Sequence, residues 1–270
     1  MYLAAVVQMT STADSEANWL QASGLVERAA RSGARLVATP ENTNFLGPPA
    51  DKVRLAETLD GPTCQRFGAL ARRLEIHLLL GSFNERSVDP GRCHNTSVLF
   101  GPDGATLAVY RKIHLFDVDV SDAVRYRESD AVAPGDRAVV VGTPLGHLGL
   151  SICYDLRFGN LYRRLVRDGA DILCVPAAFT ATTGRDHWEP LLRGRAIENQ
   201  CYVLAPAQCG RHDDPGLRES YGHAAIVDPW GQVVATVSDG PGLAVAEIDL
   251  DRVARIRRAI PVSAHFRPAL

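Results

Sequence analysis

At 270 residues, 46% of them hydrophobic, the chain is long enough to bury a sizeable core without disulfide or metal staples. Lysine and arginine number 29 against 31 acidic residues, and the net charge of -2 excludes a general attraction to nucleic acid or to an anionic membrane. The expected partner is a small molecule.

The chain begins with an apolar run at 3–8 that reads as a buried strand. Trp19, Ala22, Val26 and Ala29 then recur at helical spacing and predict a helix over about 14–31. Leu36-Val37-Ala38 forms a second strand ending at Thr39-Pro40-Glu41. Gly61-Pro62-Thr63 opens another helix, whose Phe67, Leu70, Ala71 and Leu74 make an i, i+3, i+4, i+7 stripe. Between 77 and 111, three strand-like runs are separated by the turn formers of Asn84 to Gly91 and of Gly101-Pro102-Asp103-Gly104. Leu148-Gly149-Leu150-Ser151-Ile152 reads as a short buried strand, and a helix runs from near Gly159 to near Gly169. A strand at 171–175, a helix at about 187–199 and a strand at 202–206 follow. The chain closes with a hairpin around Asp228-Pro229-Trp230-Gly231, a strand near 243–248 and a short helix at about 250–260. This alternation with embedded hairpins predicts an α/β protein with a mixed sheet, two packed sheets with helices outside them, in one domain spanning 1–270.

The six cysteines form no C-x-x-C pair, and several, such as Cys174, sit in apolar runs. They read as reduced core residues of a cytoplasmic protein. The N-terminus lacks a basic region and a small-residue cleavage site, and no apolar stretch approaches membrane length, so the chain is expected to remain in the cytoplasm.

Cys153 stands apart, because it ends an apolar strand and is followed at once by Tyr154-Asp155-Leu156-Arg157-Phe158. A thiol there meets free backbone N–H groups, but with a pKa of ~8.5 it needs a neighbouring base or cation. Glu41 closes the second strand, and Lys112 follows the strand Ala105 to Tyr110. Ligands gather at the carboxyl ends of strands in such folds, so these three ends are expected to share one crevice. Glu41, its pKa raised by apolar surroundings, would take the thiol proton and return it to a leaving amine. Lys112 would favour thiolate and oxyanion electrostatically, and the Tyr154 N–H would complete an oxyanion hole.

Pro40-Glu41-Asn42, Tyr110-Arg111-Lys112-Ile113-His114-Leu115-Phe116-Asp117 and Cys153-Tyr154-Asp155-Leu156-Arg157-Phe158 occur in this order. The set resembles the nitrilase superfamily of carbon–nitrogen hydrolases over nearly the whole chain. The resemblance implies a four-layer α-β-β-α sandwich, a Glu-Lys-Cys triad of Glu41, Lys112 and Cys153, and a second active-site glutamate at Glu128. It also implies an assembly of two or more copies, a homodimer or a higher homo-oligomer, and requires no cofactor or metal. Thr183 to Glu189, Arg195 to Tyr202, Ala207 to His212 and Tyr221-Gly222-His223 are most similar to the deaminated glutathione amidase branch. The implied reaction yields 2-oxoglutarate and cysteinylglycine. Omega-amidase action on 2-oxoglutaramate, and a binding protein of the same fold without turnover, are the alternatives. Gly159-Asn160 departs from the Pro-Glu usual in relatives, which should loosen the following helix start. The 42–48 stretch also differs from the animal amidases.

Other residues carry two readings. Arg157 either holds a substrate carboxylate or pairs with an acid of its own chain. Phe179 and Thr180 either line the pocket or pack ordinarily. His187 and Glu189 lie two apart on a helix and face different ways, which argues against a metal pair. His94 and His223 read as hydrogen-bonded structural residues. Gly149-Leu150-Ser151-Ile152-Cys153 lacks the second glycine of a serine-hydrolase elbow, and no G-x-G-x-x-G follows the first strand.

Overall fold

The computed structural model describes residues 1–121, 124–215 and 219–267. The amino-terminal half comprises β1 (Tyr2–Met9), α1 (Ser15–Arg31), β2 (Ala34–Ala38), α2 (Pro49–Arg54), α3 (Pro62–Leu74), β3 (His77–Arg86), β4 (Cys93–Phe100), β5 (Thr106–Arg111), β6 (Asp117–Ser121) and β7 (Val124–Arg127). The remainder comprises β8 (Val139–Thr143), β9 (Gly146–Leu150), α4 (Gly159–Arg167), β10 (Ile172–Cys174), α5 (Ala181–Asn199), β11 (Tyr202–Ala205), β12 (Ala207–Arg211), β13 (Glu219–Tyr221), β14 (Ala225–Val227), β15 (Val233–Thr236), β16 (Gly242–Ile248), α6 (Leu250–Ala259) and α7 (Val262–His265).

Among the described residues, one sheet of eight strands runs β13-β12-β1-β2-β3-β4-β5, with β16 also paired to β1. A second, six-stranded sheet runs β15-β14-β11-β10-β9-β8. Parallel pairing holds for β1-β2-β3 and β9-β10-β11, while the outer strands are antiparallel hairpin partners. This mixture matches the expected interruption of a parallel pattern by hairpins.

The period of two in β1 explains the layering. Ala5, Val7 and Met9 face outward and pack with Ala22, Leu25, Val26 and Ala29 of α1 and Phe67, Leu70 and Ala71 of α3. Ala4 and Val6 face inward and join Leu36, Ala38, Leu148, Leu150, Ile172 and Leu204 between the sheets. Beyond the second sheet, Leu161, Tyr162 and Leu165 of α4 and Trp188, Leu192 and Ala196 of α5 continue that core. Helix, sheet, sheet, helix is the four-layer sandwich.

Local chemistry sets the boundaries. Asp14 caps α1 by accepting the N–H groups of Glu16 and Ala17, and Arg28 and Arg31 sit in its last turn, where cations are favoured. Pro62 starts α3, where its missing N–H costs nothing. Helix α5 begins at Ala181, six residues before the expected start. Gly184 makes room for Tyr221 there, since a Cβ at Gly184 would fall 2.3 Å from the Tyr221 Cβ, so tertiary packing overrides weak local propensity. The predicted strand at 148–152 spans 146–150 instead, and just beyond it the Ser151 N–H and hydroxyl both donate to the Cys174 carbonyl. Helix α4 does start at Gly159 and has no side-chain cap. Arg195, which donates to the Leu156 carbonyl, lies against it.

Candidate active site

Strands β2, β3, β9 and β10 present their carboxyl ends at one edge, and β5, parallel to β3 in space, ends there too. Glu41 lies three residues beyond β2, where a bulge in β3 fixes it. The Gly81 N–H donates to Thr39 Oγ1 (3.1 Å), the Ser82 N–H to the Pro40 carbonyl (3.2 Å) and the Asn42 N–H to Ser82 Oγ (2.8 Å). A Cβ at Gly81 would fall 1.9 Å from the Thr39 carbonyl oxygen, so only glycine permits this approach. Gln208 Nε2 donates to the Glu41 carbonyl at 2.9 Å.

Lys112 follows β5, its N–H bonded to the Asn95 carbonyl at 2.9 Å and its own carbonyl accepting from Gly135 at 2.8 Å. Cys153 opens a 3-10 turn over Cys153–Arg157 with a φ of 47°, a left-handed conformation rare for a residue with a side chain. Its N–H donates to the Pro176 carbonyl at 2.9 Å. Asp155, completely buried, anchors the turn. It accepts from the Ile152 N–H (2.9 Å), the Tyr110 hydroxyl (2.6 Å) and the His114 N–H (3.0 Å), and the His114 ring Nδ1 lies 2.7 Å away. One carboxylate thus ties the Cys153 turn to β5 and to the segment after Lys112.

The predicted convergence is present. Lys112 Nζ lies 2.8 Å from Glu41 Oε1 and 3.0 and 2.9 Å from the two oxygens of Glu128. The other oxygen of Glu41 accepts the Ala178 N–H at 2.7 Å, and Glu128 accepts the Phe116 N–H at 2.6 Å. Cys153, Glu41, Lys112 and Glu128 are all buried.

Electrostatics differ from expectation in two respects. Burial pushes the Glu41 carboxyl up, but the Lys112 charge and the hydrogen bonds from Lys112, Cys153 and Ala178 outweigh it and hold Glu41 below the usual carboxylate range. The expected raised pKa is therefore reversed. Burial and the Glu41 charge push the Cys153 thiol well above its usual value, more strongly than Lys112 lowers it. The resting pair is carboxylate and thiol, not thiolate. For Lys112, burial opposes the charged form, yet Glu128 and Glu41 together raise it well above the ordinary lysine value.

The cleft at Cys153 is lined by Phe116, Tyr154, Ala178, Phe179, Thr180 and Thr183. Tyr154, Phe179 and Thr180 are thus among the residues that border this cleft. The Tyr154 N–H, second in its turn, has no protein acceptor among the described residues. Arg157 stacks over the Phe179 ring at 5.0 Å and meets His187 Nδ1 at 3.2 Å. It pairs with no carboxylate among the described residues. His94 binds the Ala133 carbonyl, and His223 binds the Tyr221 carbonyl and stacks on that ring. Among the described residues, no group of three His, Cys, Asp or Glu side chains is arranged to hold a metal.

Sequence reasoning missed Asn95, whose Nδ2 reaches Glu41 Oε1 at 2.8 Å and Glu128 Oε1 at 3.2 Å. It also missed the roles of Gln208 and Asp155. Asp155 had a readable signal, an acidic residue next but one to a candidate thiol at the end of an apolar strand. Asn95 had little, since one polar residue in Cys93-His94-Asn95-Thr96-Ser97 does not stand out.

The carbon–nitrogen hydrolase family model matches residues 3–258. A deaminated glutathione amidase from Synechocystis sp. is 46% identical over 267 residues, 98% of this chain and 97% of its own length. The crystal structure of the Caenorhabditis elegans NitFhit protein superposes with a TM-score of 0.92 at 43% identity; this chain is covered to 98% and spans 65% of that longer one. An amidase from Nesterenkonia sp. AN1, solved with acrylamide added at its active-site cysteine, superposes with a TM-score of 0.80 at 25% identity over 98% of this chain and all of its own.

Proposed function

Since the chain belongs to the carbon–nitrogen hydrolase family and is an amidase of that family, we propose that its 270 residues act as one hydrolase domain with Cys153 as nucleophile, Glu41 as general base and acid, and Lys112 and Glu128 as electrostatic partners. The observation that carries this reading is the buried contact of Lys112 with both glutamates beside the Cys153 thiol. Glu41, already anionic, accepts the thiol proton as sulfur attacks the amide carbon, so no thiolate accumulates beforehand. The oxyanion meets the Lys112 ammonium and the Tyr154 N–H. Glu41 returns the proton to the leaving nitrogen, and the amine departs. Water, deprotonated by the same carboxylate, then cleaves the thioester. Glu128 keeps Lys112 charged and aimed. Every step uses the chain's own groups and water.

The substrate we propose is deaminated glutathione, split to 2-oxoglutarate and cysteinylglycine. Its support is the near-full-length identity to a relative of that name and the cleft itself. Phe116 and Phe179 offer apolar walls, Thr180 a hydroxyl, and the Arg157 guanidinium at the rim a bidentate partner for a substrate carboxylate. Six unpaired, buried cysteines fit a reducing cytoplasmic setting. A homodimer is the expected assembly. Trp230 and Ile197, both about half exposed, offer apolar surface for it.

A product-resolved assay tests the substrate. Cysteinylglycine release from deaminated glutathione, lost in Cys153→Ala, is the expected result. Preferential ammonia release from 2-oxoglutaramate would reassign the chain to omega-amidase chemistry. Turnover of neither, nor of a broad amide panel, would favour a binding role.

A further inference from the structure

We propose that Asn95 is a positioning residue of the amidase centre, its side-chain amide holding Glu41 and Glu128 at once and keeping Glu41 an anion aimed at the thiol. This rests on the reading of Glu41 as general base. Asn95 is the third residue of β4 and is almost fully buried. Its Nδ2 donates to Oε1 of Glu41 and to Oε1 of Glu128, the same two oxygens that Lys112 Nζ engages. Its carbonyl accepts the Lys112 N–H, so one residue fixes the backbone of the ammonium and the side chains of both carboxylates.

The other end of the amide shows what the arrangement favours. Asn95 Oδ1 is buried with no partner among the described residues. Turning the amide over would set that oxygen against two carboxylates, so the carboxylates dictate its orientation. A leucine of similar size would remove the unpaired oxygen. The polar side chain instead serves the two anions, between which the Lys112 ammonium is shared.

The test compares the wild type with Asn95→Leu and Asn95→Ser, measuring kcat/KM against pH on an amide the wild type turns over, with thermal melting as the check on folding. Loss of an N–H donor makes Glu41 easier to protonate, so the acid limb should move upward by about one pH unit, with kcat/KM reduced at least about tenfold, mostly through kcat. Asn95→Ser, smaller and with one donor, should shift the limb in the same direction, and decides the matter should Asn95→Leu not fold. An unmoved acid limb in the folded variants overturns the proposal whatever the loss of rate, because a packing defect lowers activity without changing the titration. Glu41→Gln, run in parallel, should be inactive. Retained activity there would overturn the base assignment itself.

Discussion

Cys153 rests protonated first because burial disfavours a thiolate there, and second because the negative charge of Glu41 lies beside it. Lys112 is shared between two carboxylates and only partly offsets these effects. The proton therefore moves during attack on a carbonyl, when charge passes on to the oxyanion that Lys112 faces. This gives a direct expectation for the resting enzyme. Alkylation of Cys153 by iodoacetamide, followed by mass spectrometry of its peptide against pH, should show no thiolate inflection up to pH 9. An inflection between pH 6 and 8 would mean a preformed ion pair and contradict the proton inventory. Lys112→Met would leave two buried carboxylates facing each other, the kind of broken pair that costs about 3–5 kcal/mol.

The elements contribute by where they stop. The ends of β2, β5, β9 and β10 bring Glu41, Lys112, Cys153 and Ala178 to one edge, and the β3 bulge sets the first of these. Gly81→Ala places a methyl group into the Thr39 and Pro40 carbonyls, at 1.9 and 2.3 Å, and must displace the segment carrying Glu41. Since a misplacement of about 1 Å can cost about 100-fold in rate, kcat/KM should fall by that order, with about 1–3 kcal/mol of destabilisation. Steady-state kinetics and denaturant melts of the variant check both, and wild-type kinetics would refute the role of the bulge.

This is also where the sequence stops being informative. Helices α1 and α3 and the strands around Cys153 were legible because apolar spacing and caps are local signals. Glu41, Lys112 and Cys153 were legible because each follows a strand. Asn95 was not, because its part depends on which strand lies beside β4 and how the β3 bulge shifts register. The start of α5 was hidden likewise, since Tyr221, 37 residues after Gly184, decides it.

At the scale of the whole molecule, one core lies between the sheets and another lies under α1 and α3, with cysteines distributed through both. Burial lifts the thiols of Cys174 and Cys201 from 9.0 to about 12. It also lifts Cys64 to about 12 and Cys93 to about 11. A raised folded pKa means that the unfolded chain loses its thiol protons first as pH climbs. The stabilisation is complete below pH 9 and is lost as pH rises toward the folded values. Each thiol contributes a slope of about 1.4 kcal/mol per pH unit in that window. The melting temperature should therefore decline steeply from about pH 9, and a flat profile to pH 11 would show that these thiols are not shielded.

The four-layer sandwich matters to function because Glu41 and Lys112 come from the first sheet and Cys153 from the second, so the centre exists only when the sheets are packed face to face. Its chemistry is tested most directly by rapid acid quench of the enzyme with an amide substrate during turnover, followed by intact-mass and peptide analysis. A mass gain equal to the acyl group, located on Cys153 and absent from Cys153→Ala, is the expected result. Steady turnover without an acyl adduct on Cys153, or turnover that survives Cys153→Ala, would contradict it.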